Sequence, residues 1–108
     1  MADHDEPTGA EQMFGDFAPG LVHFTDDVLF GEAWKRPELS PRDRSLVTIT
    51  TLIALYRHNE LGFHLGKGLE NGLTRDEIIA AITHTAFYAG WPTAMTAVNV
   101  ARDALKDA

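Results

Sequence analysis

The sequence predicts an all-α protein, a helical bundle of about six helices. Helix start and stop signals recur along the chain, apolar residues repeat at helical spacing, and no pair of alternating segments joined by a hairpin turn is present. With 108 residues, of which 44% are hydrophobic and 23% charged, the chain has the size and balance of one globular domain. Residues 1–10 are polar and predict a flexible N-terminal tail, so residues 11–108 form the predicted helical domain.

The first half of the domain predicts two helices. Residues 21–34 carry apolar side chains at helical spacing, and the pattern ends before Pro37. Ser40 is placed to cap the next helix, and Pro41 suits its first position. Residues 45–56 are apolar or small on nearly every face, which predicts a largely buried helix. Their β-branched residues leave a buried strand as the alternative, and the length of the run favours the helix.

The second half predicts three more helices. Residues 59–71 form a helical pattern that Gly72 can end in a left-handed conformation. A Thr-x-x-Glu capping box at Thr74 opens the next helix, which runs to Gly90. Pro92 then lies near the start of the last helix, which carries an apolar stripe.

Charge and composition exclude several classes of function. Nine basic and sixteen acidic residues give a net charge of −7, which argues against nucleic-acid binding. No apolar run reaches the length of a membrane span, and the first ten residues lack a secretory signal, so we expect a cytoplasmic protein without a membrane partner. The absence of cysteine removes thiol redox chemistry. A chain this short buries a limited core, which favours a homo-oligomer.

Two histidines are candidates for proton chemistry. Glu60 and His64 are spaced i, i+4, so they share one face of a helix. A carboxylate one turn away orients an imidazole and raises its pKa, which suits general acid–base catalysis, although a surface Glu–His pair has the same spacing. His84 lies in an apolar segment one turn before Tyr88, which predicts a buried imidazole. Such a ring either transfers protons or bonds to a backbone carbonyl or to Tyr88. His23, near two aspartates, is expected to be structural.

A metal site is a further alternative. His64, His84 and Glu60 would supply two imidazoles and one carboxylate. No His-x-x-x-His or Glu-x-x-His pair supports that set, so we expect no metal. Arg42 and Arg44 lie in the first turn of a helix, where the helix dipole disfavours cations. Each is therefore expected to pair with a carboxylate, either on a neighbouring side chain or on an anionic ligand.

Three glycines interrupt the helix that carries His64. Gly62, Gly66 and Gly68 each cost about 1 kcal/mol relative to alanine in a helix interior. Close approach of a second helix, or room for a ligand, would account for that cost.

The stretches LSPRDRSLVTI, FHLGKGLENGLTRDEI and ITHTAFYAGWPTAM, in this order, resemble the carboxymuconolactone decarboxylase family. The resemblance covers the chain from about Met13 to Ala104. It implies an all-helical fold shared with the alkyl hydroperoxidase D proteins, assembled as trimers or hexamers with active sites near subunit contacts. The hydroperoxidase branch uses a Cys-x-x-Cys pair before a histidine. Aligning that histidine on His64 places Arg57 and Glu60 at the cysteine positions, so the peroxidase mechanism is excluded.

The resemblance therefore implies the cysteine-free branch, which removes CO2 from a small carboxylated lactone without a cofactor. The expected substrate is γ-carboxymuconolactone, from aromatic-compound catabolism, and the alternative is a ligand-binding, non-catalytic oligomer. In this branch His64 would transfer the proton with Glu60 beside it, an arginine would hold a carboxylate, and an imidazole and an indole would wall the pocket. The candidate residues are His64, Glu60 and His84 for catalysis and Arg44, Arg42 and Trp91 for substrate binding.

Overall fold

The computed structural model describes residues 6–108, and the regular secondary structure in this range is entirely helical. Two compact units divide the chain, Met1–Glu38 and Leu39–Ala108. The all-α prediction is confirmed, and among the described residues no helix is both long and apolar enough to cross a membrane. Six α-helices occur in this range: α1 (Gly9–Phe14), α2 (Pro19–His23), α3 (Pro41–Ala54), α4 (His58–Glu70), α5 (Arg75–Ala89) and α6 (Trp91–Ala104).

Helix α1 begins inside the predicted tail. Residues 1–5 of that tail lie outside the described range, whereas Gly9 is already helical. Thr8 caps the helix, because its Oγ1 accepts from the backbone N–H of Glu11 at 3.1 Å and the Glu11 carboxylate accepts from Thr8 N at 2.7 Å. The Thr8 hydroxyl also donates to Asp26 Oδ2 at 2.6 Å, which ties α1 to the segment after α2.

The helix predicted over residues 21–34 is not continuous. Helix α2 ends at His23, a π-helical segment spans Phe24–Phe30, and a short 3₁₀ helix spans Ala33–Lys35. A π-helix closes its hydrogen bonds one residue later than an α-helix, which a pattern of apolar residues does not reveal. His23 pairs with one of the two nearby aspartates, because its Nδ1 lies 2.8 Å from Asp27 Oδ2.

The second unit is a four-helix arrangement. Helix α3 packs against α4 and α5, and α6 packs against the same two helices, so α4 and α5 lie at opposite corners. Small side chains on α6 allow it to approach closely, because its buried residues are all alanine. The large side chains of the core come mainly from the other three helices and are Ile49, Ile53, Leu61, Leu65, Leu73, Ile78, Ile82 and Leu105.

The helix boundaries of the second unit follow local signals. Ser40 Oγ accepts from Asp43 N at 3.1 Å at the start of α3, so the helical alternative for this segment is confirmed. Thr74 and Glu77 form both bonds of the predicted capping box. Gly90, with φ at 103°, ends α5 in a backbone conformation that residues with a side chain rarely adopt.

The predicted burial of α3 on nearly every face is wrong for the single chain. Only Ser45, Ile49 and Ile53 are buried, whereas Val47 and Leu55 are exposed. In an arrangement of four helices each helix turns one face to the core, so the remaining apolar surface stays uncovered within one chain.

The glycines of α4 differ in their surroundings. A Cβ on Gly68 would lie 2.9 Å from Cδ1 of Ile49 and 3.1 Å from Cδ1 of Leu73, so this glycine permits close packing of α4 on the core. A Cβ on Gly66 would meet no heavy atom within 4 Å, and one on Gly62 would make only ordinary contact. The close approach predicted from these glycines applies to Gly68.

Candidate active site

His64 lies on the side of α4 that faces α3. Asn71 donates from Nδ2 to the buried Ser45 Oγ at 2.9 Å, and this bond marks the contact between the two helices. His64 precedes Asn71 by seven residues, about two helical turns, so both occupy the same side of α4. The imidazole is half-buried, and its Nδ1 is shielded from solvent.

Arg44 lies on the side of α3 that faces α4. Arg42, Leu46 and Thr50 line the side of α3 that faces α5. Arg44 is two residues from Arg42, about 200° around the helix, which turns it towards α4. Its side chain is half-buried and its Nε is shielded from solvent. We call His64 and Arg44, on the α3–α4 side of the bundle, the His64 site.

Burial lowers the pKa of His64 below its usual value, and the positive charge of Lys67 lowers it further. Lys67 follows His64 by three residues, so it lies on the neighbouring turn of α4. The imidazole of the free chain is therefore neutral at neutral pH. Sequence reasoning did not single out Lys67, although its i, i+3 spacing was the available signal.

Glu60 does not act on His64 as the sequence predicted. The two residues do share one face of α4, but Glu60 is exposed and its side chain makes no hydrogen bond or ion pair with any described residue. The expected rise in the pKa of His64 is wrong, because burial and Lys67 act in the opposite direction.

Arg42 forms an ion pair with Glu77 across α3 and α5. It also approaches Asp43 Oδ1 at 3.4 Å. The expectation that an arginine at this helix start pairs with a carboxylate is confirmed for Arg42. The backbone N–H of Thr74 and the guanidinium of Arg42 lower the pKa of Glu77. In the single chain the guanidinium of Arg42 is therefore engaged with Glu77.

His84 lies apart from His64. It lines a groove of about 540 Å³ between α3 and α5, together with Arg42. Its ring stacks at a tilt on Tyr88, with 5.1 Å between ring centres, which agrees with the predicted partner. The prediction that His84 is buried is wrong for the single chain, because the apolar segment around it presents part of its surface to solvent.

Trp91 belongs to an exposed aromatic patch at the junction of α5 and α6. Its ring lies 5.3 Å from that of Phe87, edge to face. Phe87 is 71% exposed, Tyr88 81% and Trp91 57%. Together with Met95, these residues form what we call the aromatic patch. Exposed apolar clusters of this kind commonly mark contacts between proteins.

Apart from the exposed Glu60, the predicted site residues thus occupy three places on one chain: the His64 site, the α3–α5 groove and the aromatic patch. Within residues 6–108, no group of three or more His, Asp or Glu side chains is arranged to hold a metal ion. His64, His84 and Glu60, the metal ligands considered from the sequence, therefore do not form such a group.

The described part of the chain is all-helical and presents a half-buried imidazole, and the chain contains no cysteine for thiol chemistry. A sequence profile of the carboxymuconolactone decarboxylase family matches residues 19–103. The chain belongs to the carboxymuconolactone decarboxylase family, and the resemblance read from its motifs is confirmed.

Two relatives of known name are similar to this chain. A 4-carboxymuconolactone decarboxylase from Acinetobacter baylyi is 41% identical over 96 residues, which cover 89% of this chain and 72% of the relative. A nitrosuccinic acid decarboxylase from Metarhizium robertsii is 36% identical over 78 residues, which cover 72% of this chain and 54% of the relative. Both relatives are named as decarboxylases.

Proposed function

We propose that this chain is a cofactor-free carboxy-lyase that decarboxylates a small carboxylated lactone, γ-carboxymuconolactone, in aromatic-compound catabolism. The observation that carries the proposal is the 41% identity, over 89% of the chain, to a protein named 4-carboxymuconolactone decarboxylase. The half-buried imidazole of His64 and the presence of Arg44 on the same side of the bundle support it, because the reaction needs a proton donor and a cation for a carboxylate.

The two named relatives point to one class of substrate. In γ-carboxymuconolactone a double bond links the carbon that bears the leaving carboxylate to the lactone carbonyl. In nitrosuccinic acid, the compound in the second relative's name, a carboxylate and a nitro group share one carbon. Each substrate has an acceptor for the electron pair that departing CO2 leaves behind. We therefore propose acids of this kind as substrates, with nitrosuccinate as the second candidate.

In the proposed reaction His64 delivers the proton. The bond between carbon and the leaving carboxylate breaks, CO2 departs, and the electron pair moves through the double bond to give a dienolate whose charge rests on the lactone oxygen. The imidazolium of His64 then protonates the α carbon, which yields the enol-lactone and a neutral imidazole, and water restores the proton. One proton is consumed for each CO2 released.

The lowered pKa of His64 suits this role. An imidazolium with a low pKa is a stronger acid than an ordinary histidine. A bound substrate brings two carboxylates, and their negative charge raises the pKa of His64 again, so that the ring is protonated in the complex. Arg44 is the proposed partner of the carboxylate that remains.

The other candidates have supporting roles in this proposal. Glu60, exposed at the start of α4, would relay protons between solvent and His64. His84 lies on a helix diagonal to α4, so in this proposal it reaches the His64 site only from a second copy of the chain. The exposed aromatic patch supports a homo-oligomer, a trimer or hexamer, in which Trp91 walls a pocket. That this enzyme works in the cytoplasm stays a prediction from composition.

The test is the pH dependence of turnover with γ-carboxymuconolactone. The profile of kcat/KM reports the free protein, so it should fall with a midpoint below 6.5, the usual pKa of histidine, as pH rises. The profile of kcat reports the complex, and its midpoint should lie at higher pH. Nitrosuccinate, assayed in parallel, decides between the two substrates. Binding of both acids without release of CO2 would instead support the ligand-binding alternative.

A further inference from the structure

A second groove, between α5 and α6, is separate from every candidate residue named above. Its volume is about 240 Å³, roughly eight times the volume that one molecule occupies in liquid water. The lining residues on α5 fall within residues 75–83, and those on α6 and just after it within residues 98–106. Each stretch is about 12 Å long at the rise of an α-helix, so the groove is an elongated trough.

The floor and walls of this α5–α6 groove are apolar. Ile82, Ala101 and Leu105 are buried beneath it. Ile79 and Val98 flank it and are each about 40% exposed. A bound apolar chain would cover these two side chains, and removing apolar surface from water is favourable.

Three basic side chains line one end of the groove. Arg75, Arg102 and Lys106 all line it, which places three of the chain's nine basic residues around one small cavity. No carboxylate lines the groove. Lys106 approaches Asp103 at 3.7 Å and Arg75 approaches Asp76 at 3.8 Å, both on the exposed surface. Arg102 makes no ion pair or hydrogen bond with any described residue.

Helix electrostatics account for only part of this arrangement. Arg102, in the last turn of α6, is favourably placed with respect to the helix dipole. Arg75 is the first residue of α5, where the dipole favours an anion and disfavours a cation. A carboxylate bound between these side chains would satisfy both arginines and would lie near the positive end of α5.

We propose that the α5–α6 groove binds a small monocarboxylate with an unbranched apolar tail, such as a medium-chain fatty acid. The three cations hold the carboxylate, and the tail lies along the trough between Ile79 and Val98. The elongated shape and the small volume suit a chain of this kind better than a helix of another protein. The site is independent of His64.

The test is a titration of the full chain with octanoate, followed by calorimetry and by the methyl NMR signals of Ile79, Ile82 and Val98. Octanoate should bind and shift these signals, whereas acetate, which lacks the tail, and octanol, which lacks the charge, should bind at least tenfold more weakly. Raising the salt concentration should weaken octanoate binding.

Two variants and a matched control locate the site. Arg102→Gln should weaken octanoate binding by about twofold to fivefold, the range for a solvent-exposed ion pair. Val98→Glu, which places a carboxylate on the wall of the trough, should abolish binding. Arg57→Gln removes the same charge from an exposed position at the start of α4, outside the groove, and should bind octanoate like the unmodified chain. Equal binding by Arg102→Gln and the unmodified chain, or octanol binding as tightly as octanoate, would overturn the proposal. Methyl shifts that depend on protein concentration but not on octanoate would assign the groove to a second copy and would also overturn it.

Discussion

Gly66 and Gly68, two positions apart on α4, give opposite predictions for the same substitution. At Gly66 an added Cβ meets no atom within 4 Å, so Gly66→Ala gains helix propensity, about 1 kcal/mol of stability. At Gly68 the Cβ would lie 2.9 Å from Ile49 Cδ1 and 3.1 Å from Leu73 Cδ1. Both of these side chains are buried. Overpacking costs about 1–3 kcal/mol, which exceeds the propensity gain, so Gly68→Ala should lose about 1 kcal/mol.

The two variants should therefore differ by about 2 kcal/mol in the free energy of unfolding. Urea denaturation followed by far-ultraviolet circular dichroism measures this difference, at one fixed protein concentration because association adds to apparent stability. In thermal unfolding each kcal/mol corresponds to roughly 4–8 °C in Tm for a domain of this size. A Gly68→Ala protein at least as stable as the unmodified chain, with an unchanged m-value, would refute the packing assigned to α4.

Three further perturbations test the electrostatics, the capping and the exposed surface. At pH values between the lowered pKa of His64 and 6.5, the unfolded chain binds more protons than the folded chain. The free energy of unfolding, measured by urea titration, should therefore decrease as the pH falls through that window. His64→Gln should remove the contribution of this histidine to the decrease. Thr74→Ala should cost about 0.5–2 kcal/mol because the capping box is lost, whereas Thr83→Ala, whose hydroxyl bonds only within α5, should cost far less in the same assay. Equal losses would contradict the cap. Trp91→Ser should shift the chain to a smaller species in size-exclusion chromatography with unchanged helix content, and an unchanged elution volume would argue against the aromatic patch as a subunit contact.

Helix boundaries were predictable because their causes are local. Ser40 and Thr74 accept backbone hydrogen bonds from residues three positions later, and Gly90 ends α5 through its own backbone freedom. Such interactions depend on residue type and spacing, which the sequence states directly. The π-helical segment Phe24–Phe30 was not predictable, because apolar residues at helical spacing are compatible with both kinds of helix.

Burial was harder to predict than helix type. The segments around Val47 and His84 are apolar enough to be buried, yet both residues are exposed on the single chain. Composition shows that a helix face is apolar, but it does not show whether the same chain or another copy of it covers that face. The uncovered apolar surface is consistent with the oligomer proposed above.

The candidate site was predictable in its parts but not in its arrangement. The shared face of Glu60 and His64 follows from their spacing, whereas the pKa of His64 depends on burial, which arises only when α4 packs against α3. The separation of His84 from His64 follows from the order of the four helices around the core. No local pattern encodes that order, so the sequence could propose a shared pocket but could not test it.

Decarboxylation through His64 can be tested in a single assay. The unmodified chain, His64→Ala and the matched control His58→Ala are incubated with γ-carboxymuconolactone, and both CO2 and the enol-lactone are followed. His58 is an exposed histidine at the start of the same helix, so its removal should leave turnover unchanged. We expect turnover by the unmodified chain and by His58→Ala, and no turnover by a His64→Ala protein that keeps its helix content. A folded His64→Ala protein that turns over at the unmodified rate would contradict this expectation.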